Sequence, residues 1–140
     1  MTDRILTKSI FLKATPEEVW QFLTDPEKLA IWFHKPTAPL QQGEPFEMLG
    51  EQSGDRVVWG KVIKADAPHH LEYTFTVTPM AGAFSTVKWA LEPVPGGTHL
   101  TLEHSGLPQN AEAFELILAL DSGWDRHLLG MRAIGGPANE

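Results

Sequence analysis

Two polar side chains stand where their neighbours' pattern asks for apolar ones, and they are the first candidates for chemistry. His104 ends the run Leu100, Leu102, His104, whose alternation with Thr101 and Glu103 directs all three toward an interior. An imidazole held there can hydrogen-bond a ligand or move a proton near neutral pH. It can equally be a core histidine with both nitrogens satisfied. Asp121, with Asp125 one turn on, falls inside the apolar arc of the C-terminal segment read as a helix. A carboxylate in that arc must find a partner or shift its pKa. By reaching His104, Asp121 would form an acid/base dyad or a polar pocket floor. A break or rotation near Ser122-Gly123 would instead return both carboxylates to solvent. Tyr73 and Arg56 can add a phenol and a cation, although nothing local fixes their direction.

Aromatic side chains are the second set. Trp32, Phe33, Phe46, Trp59, Phe75, Phe84, Trp89 and Trp124 can line a cavity for a flat or greasy molecule, since such pockets are mostly apolar with few polar groups. Each can also be plain core, because aromatic rings bury large areas. Other chemistries lack their residues. No cysteine is present, which excludes a disulfide framework, a thiolate nucleophile and a sulfur metal site. No HExxH, His-x-His or carboxylate cluster suggests a metal, and no nucleophile elbow, Walker loop or dinucleotide fingerprint occurs. No cofactor is implied.

The elements that must position these residues are legible in order. Arg4 to Lys13 alternates as a strand, with Leu6, Lys8, Ile10 and Leu12 on one face. Thr15, Pro16 and Glu18 announce a helix through a cap, an N-terminal proline and a capping box. Asp25-Pro26-Glu27 restarts a second short helix carrying Leu29, Trp32 and Phe33. A loop over Pro36 to Gly43 leads to strands at Pro45–Leu49, Arg56–Ala65, His69–Thr78, Phe84–Glu92 and Thr98–Ser105, separated by turn chemistry. Short connections imply an antiparallel meander. Ala111 to Arg132 then reads as one long helix with Asn110 as a plausible cap. Its arc of Phe114, Ile117, Leu118, Leu120, Trp124, Leu128, Leu129 and Met131 is apolar, and Gly123 would allow close approach to the sheet. The sum is an α+β helix-grip: a curved antiparallel sheet of about six strands wrapped around the C-terminal helix, with two short helices after the first strand. One domain is expected over residues 1–140, with an ordered core of about 4–134 and a flexible tail.

The net charge of −7 argues against a nucleic-acid partner, which needs a basic stripe. No run of about 18 apolar residues offers a membrane span. The first residues lack a signal-peptide pattern, so a cytoplasmic location is expected. An exposed edge strand would allow a homodimer.

Ordered motifs now carry a likeness. Ala14 to Trp20 (ATPEEVW), Leu23 to Leu29 (LTDPEKL), Trp32-Phe33, Gly60 to Val62, Leu71 to Tyr73, Gly97 to Gly106 (GTHLTLEHSG) and Gly123-Trp124 span about residues 5 to 132. The chain thereby resembles the START-like, or SRPBCC (Bet v 1-like), superfamily. Within it the likeness is to the group related to the C-terminal domain of the activator of heat-shock-protein-90 ATPase. The resemblance implies a cavity between sheet and long helix, as in lipid-transfer, hormone-binding and polyketide-cyclase proteins. The leading expectation is therefore a small hydrophobic ligand, a lipid or aromatic metabolite. Trp32, Phe33, Trp59, Phe75, Trp89, Leu102, Trp124 and Leu128 would be its walls, with His104 and Asp121 as polar groups. Replacing His104 by leucine would then alter ligand preference more than stability. Two alternatives stand beside it. One is a cyclase, dehydratase or hydrolase using His104 with Asp121 or Tyr73. The other is a chaperone-associated interaction domain.

Overall fold

The computed structural model describes residues 5–50, 54–77, 83–107 and 114–135. Strand β1 (Leu6–Leu12) is followed by helices α1 (Pro16–Thr24) and α2 (Pro26–Trp32). Six further strands follow: β2 (Lys35–Pro36), β3 (Pro45–Leu49), β4 (Arg56–Asp66), β5 (His70–Phe75), β6 (Ser85–Val94) and β7 (Gly97–Ser105). Helix α3 (Phe114–Gly135) closes the fold. The strands form one antiparallel sheet in the order β1-β7-β6-β5-β4-β3-β2. The α+β helix-grip is thus the observed architecture. It has seven strands rather than about six, because the two residues of β2 pair with Leu49 and Met48 inside what reads as a loop. The candidate cap Asn110, the turn at Pro79 to Gly82 and the tail after 135 lie outside the described residues.

Local chemistry builds the small helices as their sequences dictate. The Thr15 hydroxyl accepts the Glu18 N–H at 3.2 Å while the Glu18 carboxylate accepts the Thr15 N–H at 2.9 Å. Asp25 caps α2 by accepting the Glu27 and Lys28 N–H groups at 3.1 and 3.2 Å. Each cap of this kind contributes about 1 kcal/mol.

The concave face is a continuous apolar surface. Val87, Trp89 and Leu91 on β6 lie opposite His104, Leu102 and Leu100 on β7, and Leu71 and Tyr73 on β5 face Trp89 and Val87. All are buried, and α3 supplies Ile117, Trp124, Leu128 and Met131 from above. The apolar arc of α3 is narrower than its sequence suggests. Phe114, Leu118 and Leu129 are 49%, 47% and 66% exposed and form an outward stripe, leaving only part of the arc to the sheet.

One glycine is demanded by close approach. A Cβ on Gly60 would stand 2.1 Å from the Thr74 carbonyl oxygen of the adjacent strand. Beside it the Thr74 hydroxyl, rather than a backbone carbonyl, accepts the Lys61 N–H at 2.8 Å. Gly60→Ala must push β4 and β5 apart, with an expected loss of about 2 kcal/mol. Urea unfolding checks this, and wild-type stability in the variant would disprove the contact.

Candidate functional site

His104 lies at the end of β7 with no exposed surface. The Trp124 indole N–H donates to its Nδ1 at 3.0 Å, and its Nε2 is 2.7 Å from the Ser85 hydroxyl. Ser85 donates its own proton to the Phe75 carbonyl at 2.9 Å. An indole nitrogen only donates, so Nδ1 must be the unprotonated acceptor. The Ser85 proton is committed, so Nε2–H is the donor to Ser85. The partners therefore assign a neutral imidazole in one tautomer with both nitrogens occupied. Burial pushes its pKa down to about 4, in the same sense.

The dyad imagined between His104 and Asp121 is not formed. Helix α3 runs unbroken through Ser122-Gly123, and Asp121 meets Lys8 of β1 at 2.6 Å, with Asp125 on the same ammonium at 3.0 Å. Lys8 sits on the inward register of β1, and these two carboxylates raise its pKa despite burial. Both carboxylates thus remain largely in solvent, 47% and 62% exposed, without a break in the helix, and meet the edge strand through Lys8. Tyr73 is also committed, its hydroxyl accepting the Trp89 indole N–H at 3.0 Å, and burial raises its pKa.

The other expected wall residues separate by position. Trp32, Phe75, Trp89, Leu102, Trp124 and Leu128 are all buried under α3 or beside it. Trp124 centres an aromatic cluster, stacked on Phe33 at 5.3 Å and edge-on to Trp89 at 5.6 Å. Trp59 is elsewhere. Its neighbours Val58 and Val62 point inward, and it lies across from exposed Glu47, so its ring belongs to the outer face, with Arg56 stacked 3.8 Å above it.

Open space occurs at the end of the sheet where the α2–β2 connection meets α3. An inner chamber of about 170 Å³, itself about half open to solvent, is lined by Phe33, His34, Val58, Phe75, Val77, Ala119, Leu120, Gly123, Trp124, Arg126 and His127. An outer recess of about 670 Å³ shares Phe33 and His34 and adds Ala30, Lys35, Pro36, Thr37, Leu49, Gly50 and Gly54. Within the chamber the His34 and His127 rings lie 5.5 Å apart and edge-on, and Phe33 packs 4.9 Å from His127. His127 Nδ1 donates to the Trp32 carbonyl at 3.0 Å. This fixes the neutral tautomer and leaves Nε2 as an acceptor. Desolvation lowers both histidine pKa values. The neighbouring His127 adds to the effect at His34, while at His127 the Trp32 carbonyl opposes it and Arg126 adds to it.

Three chamber residues, His34, Arg126 and His127, are not legible as site residues in the sequence. Arg126 reads as solvent face, and His34 follows two aromatics without any periodic signal. The one available clue is that His127 stands one turn after Trp124, on the pocket flank of the same helix. Among the described residues no three His, Asp or Glu side chains gather as metal ligands. No helix among them is long and apolar enough to cross a membrane.

Comparison with known proteins places the fold. The CalU16 structure from Micromonospora echinospora superposes with a TM-score of 0.78 at 23% identity, covering 97% of this chain and 78% of that one. The Aha1 dimer from Colwellia psychrerythraea gives 0.80 at 18%, covering 98% and 99%. PFC0360w from Plasmodium falciparum, described as an HSP90 activator, gives 0.78 at 20%, covering 93% and 94%. A search of curated proteins returns no match. Residues 13–136 match the family described as Activator of Hsp90 ATPase homolog 1-like protein, and the chain belongs to that family.

Proposed function

We propose that the protein binds a small apolar molecule, an aromatic metabolite or lipid fragment, in the cleft between α3 and the α2–β2 connection. Space and lining both support it. The inner chamber, about 170 Å³ and half open, is large enough to admit one aromatic ring. The outer recess is within the size range of ligand pockets, roughly 300–1,000 Å³. Phe33, Phe75 and Trp124 supply faces and edges, while His34 and His127 take the orienting part that the sequence suggests for His104.

The observation that carries the reading is Gly123. It lies inside α3 and lines the chamber, yet an added Cβ there would meet nothing within 4 Å. The close helix–sheet approach that its sequence position suggests is therefore not its reason. A glycine in a helix interior costs about 0.5–1 kcal/mol relative to alanine. Here that cost goes with keeping the chamber empty. Gly130 is equally uncrowded but is not among the chamber's lining, so it serves as the control.

Native mass spectrometry with organic extraction, followed by calorimetric titration of a naphthalene-sized probe, tests the reading. Gly123→Leu should keep or raise the melting temperature while weakening uptake about tenfold or more. Gly130→Ala should stabilise without touching uptake. No bound molecule and no uptake from a panel of aromatic and lipid probes would overturn the proposal.

A chaperone-linked role, with a homodimer as working form, is the second reading. It is favoured by the family match and by two relatives described as an Aha1 dimer and an HSP90 activator. Retention on a purified chaperone of that class, together with a dimer in sedimentation, would support it. A monomer that is not retained would remove it.

A further inference from the structure

We propose that the ligand of this cleft is an anion, an aromatic or alicyclic carboxylate whose ring enters the inner chamber and whose carboxylate meets Arg126 at its rim. This rests on the binding reading above and names the ligand's chemical class.

The chain carries 18 acidic residues against 11 basic ones, yet among the described residues no Asp or Glu lines either the chamber or the recess. Their charged side chains are Arg126 in the chamber and Lys35 in the recess, both cations. Lys35 is answered by Glu27 at 3.1 Å. Arg126 has no carboxylate partner among the described residues. A cleft whose described lining carries cations and no carboxylate, with a guanidinium that Glu27 does not answer, is complementary to a negative ligand.

Helix α3 divides its charges between two flanks. Asp121 and Asp125, the acidic residues nearest Arg126 along α3, face the other flank and are tied to Lys8. They lie on the flank of α3 that meets β1, whereas Gly123, Arg126 and His127 lie on the flank that lines the cleft. The arrangement separates the helix into an acid flank fastened to the sheet and a cationic flank over the chamber.

Burial holds His34 and His127 toward their neutral forms, and the sheet contributes only Val58, Phe75 and Val77 to the lining. Arg126 is therefore the permanent charge of the chamber. Its planar fork matches a carboxylate in two parallel hydrogen bonds, which a point-like ammonium cannot reproduce. An apolar wall beside that fork reduces the competition from water.

The test is calorimetric titration of the intact protein with naphthalene carboxylate and its neutral isostere, naphthalene carboxamide. Wild type should bind the carboxylate about tenfold tighter. Arg126→Gln should reduce the carboxylate about tenfold while weakening the amide far less, so that the preference for the acid is lost; Arg126→Lys should fall between. Arg126 is exposed and has no ion-pair partner among the described residues, so an unchanged melting temperature verifies that the variants are folded. Equal affinity for acid and amide in wild type, or a preference that survives Arg126→Gln, would overturn the anion while leaving the cleft standing. Uptake of neither probe would overturn both readings.

Discussion

Replacing His104 by leucine is expected to lower stability by about 2–4 kcal/mol at pH 7.5, roughly a 10 °C fall in melting temperature. The volume change is small, so the loss is polar in origin. Leucine leaves the Trp124 indole N–H without an acceptor in a buried site and takes a donor away from Ser85. A buried donor left unsatisfied costs about 1–3 kcal/mol by itself. Ligand uptake should be nearly unchanged, because His104 is not among the residues lining the chamber. This reverses the expectation from sequence, in which His104→Leu alters ligand preference more than stability.

The same network has a pH signature of definite sign. The unfolded chain takes up a proton at His104 near its ordinary value of 6.5, whereas the folded chain resists until about 4. Between those values the unfolded state binds more protons, so wild-type stability falls as pH drops through the window and levels off below it. The full swing is about 3 kcal/mol. His34 and His127, also shifted down, act in the same direction. The variant lacks only the His104 part. Its deficit relative to wild type should therefore shrink from pH 7.5 to pH 4.5. Urea unfolding followed by circular dichroism at the two pH values reads this directly, and a deficit independent of pH would refute a neutral, fully bonded His104.

Much of the fold was legible because it depends on patterns that neighbours in sequence share. Alternation of Leu100, Leu102 and His104 gives the inward face of β7, and Thr15 with Glu18 gives the start of α1, without knowledge of any distant contact. What sequence could not give is which partner a polar side chain finds across the fold. His104 lies inward as its alternation requires, but its nitrogens are closed by Ser85 and Trp124, 19 and 20 residues away. Asp121 lies near the apolar arc as its period requires, but its partner is Lys8, 113 residues away. The chamber was less legible still. Gly123, Arg126 and His127 share one flank of α3 by their i, i+3, i+4 spacing, but nothing in sequence says that this flank meets His34, which joins them only through the packing of α3 against the α2–β2 connection.

Trp124→Ala should be among the most damaging single substitutions, with an expected cost of about 3–5 kcal/mol. The ring is 2% exposed and central to the aromatic cluster, 5.3 Å from Phe33, 5.6 Å from Trp89 and 6.0 Å from Phe75. Its removal opens a large void and orphans His104 Nδ1. Trp124→Phe separates these contributions by keeping an aromatic ring while deleting the N–H. Its cost should be about 1–3 kcal/mol. Once the donor is gone, His104→Leu no longer strands it, so the two substitutions should couple. The double variant is expected to lose about 1–2 kcal/mol less than the sum of the singles. Thermal and urea unfolding of the four proteins measures that coupling. Strict additivity would mean that the Trp124–His104 hydrogen bond contributes nothing, and the structural role of both residues would have to be assigned to packing alone. A coupling of the expected size, with uptake retained in Trp124→Phe, would place the indole N–H in the framework and the ring face in the site.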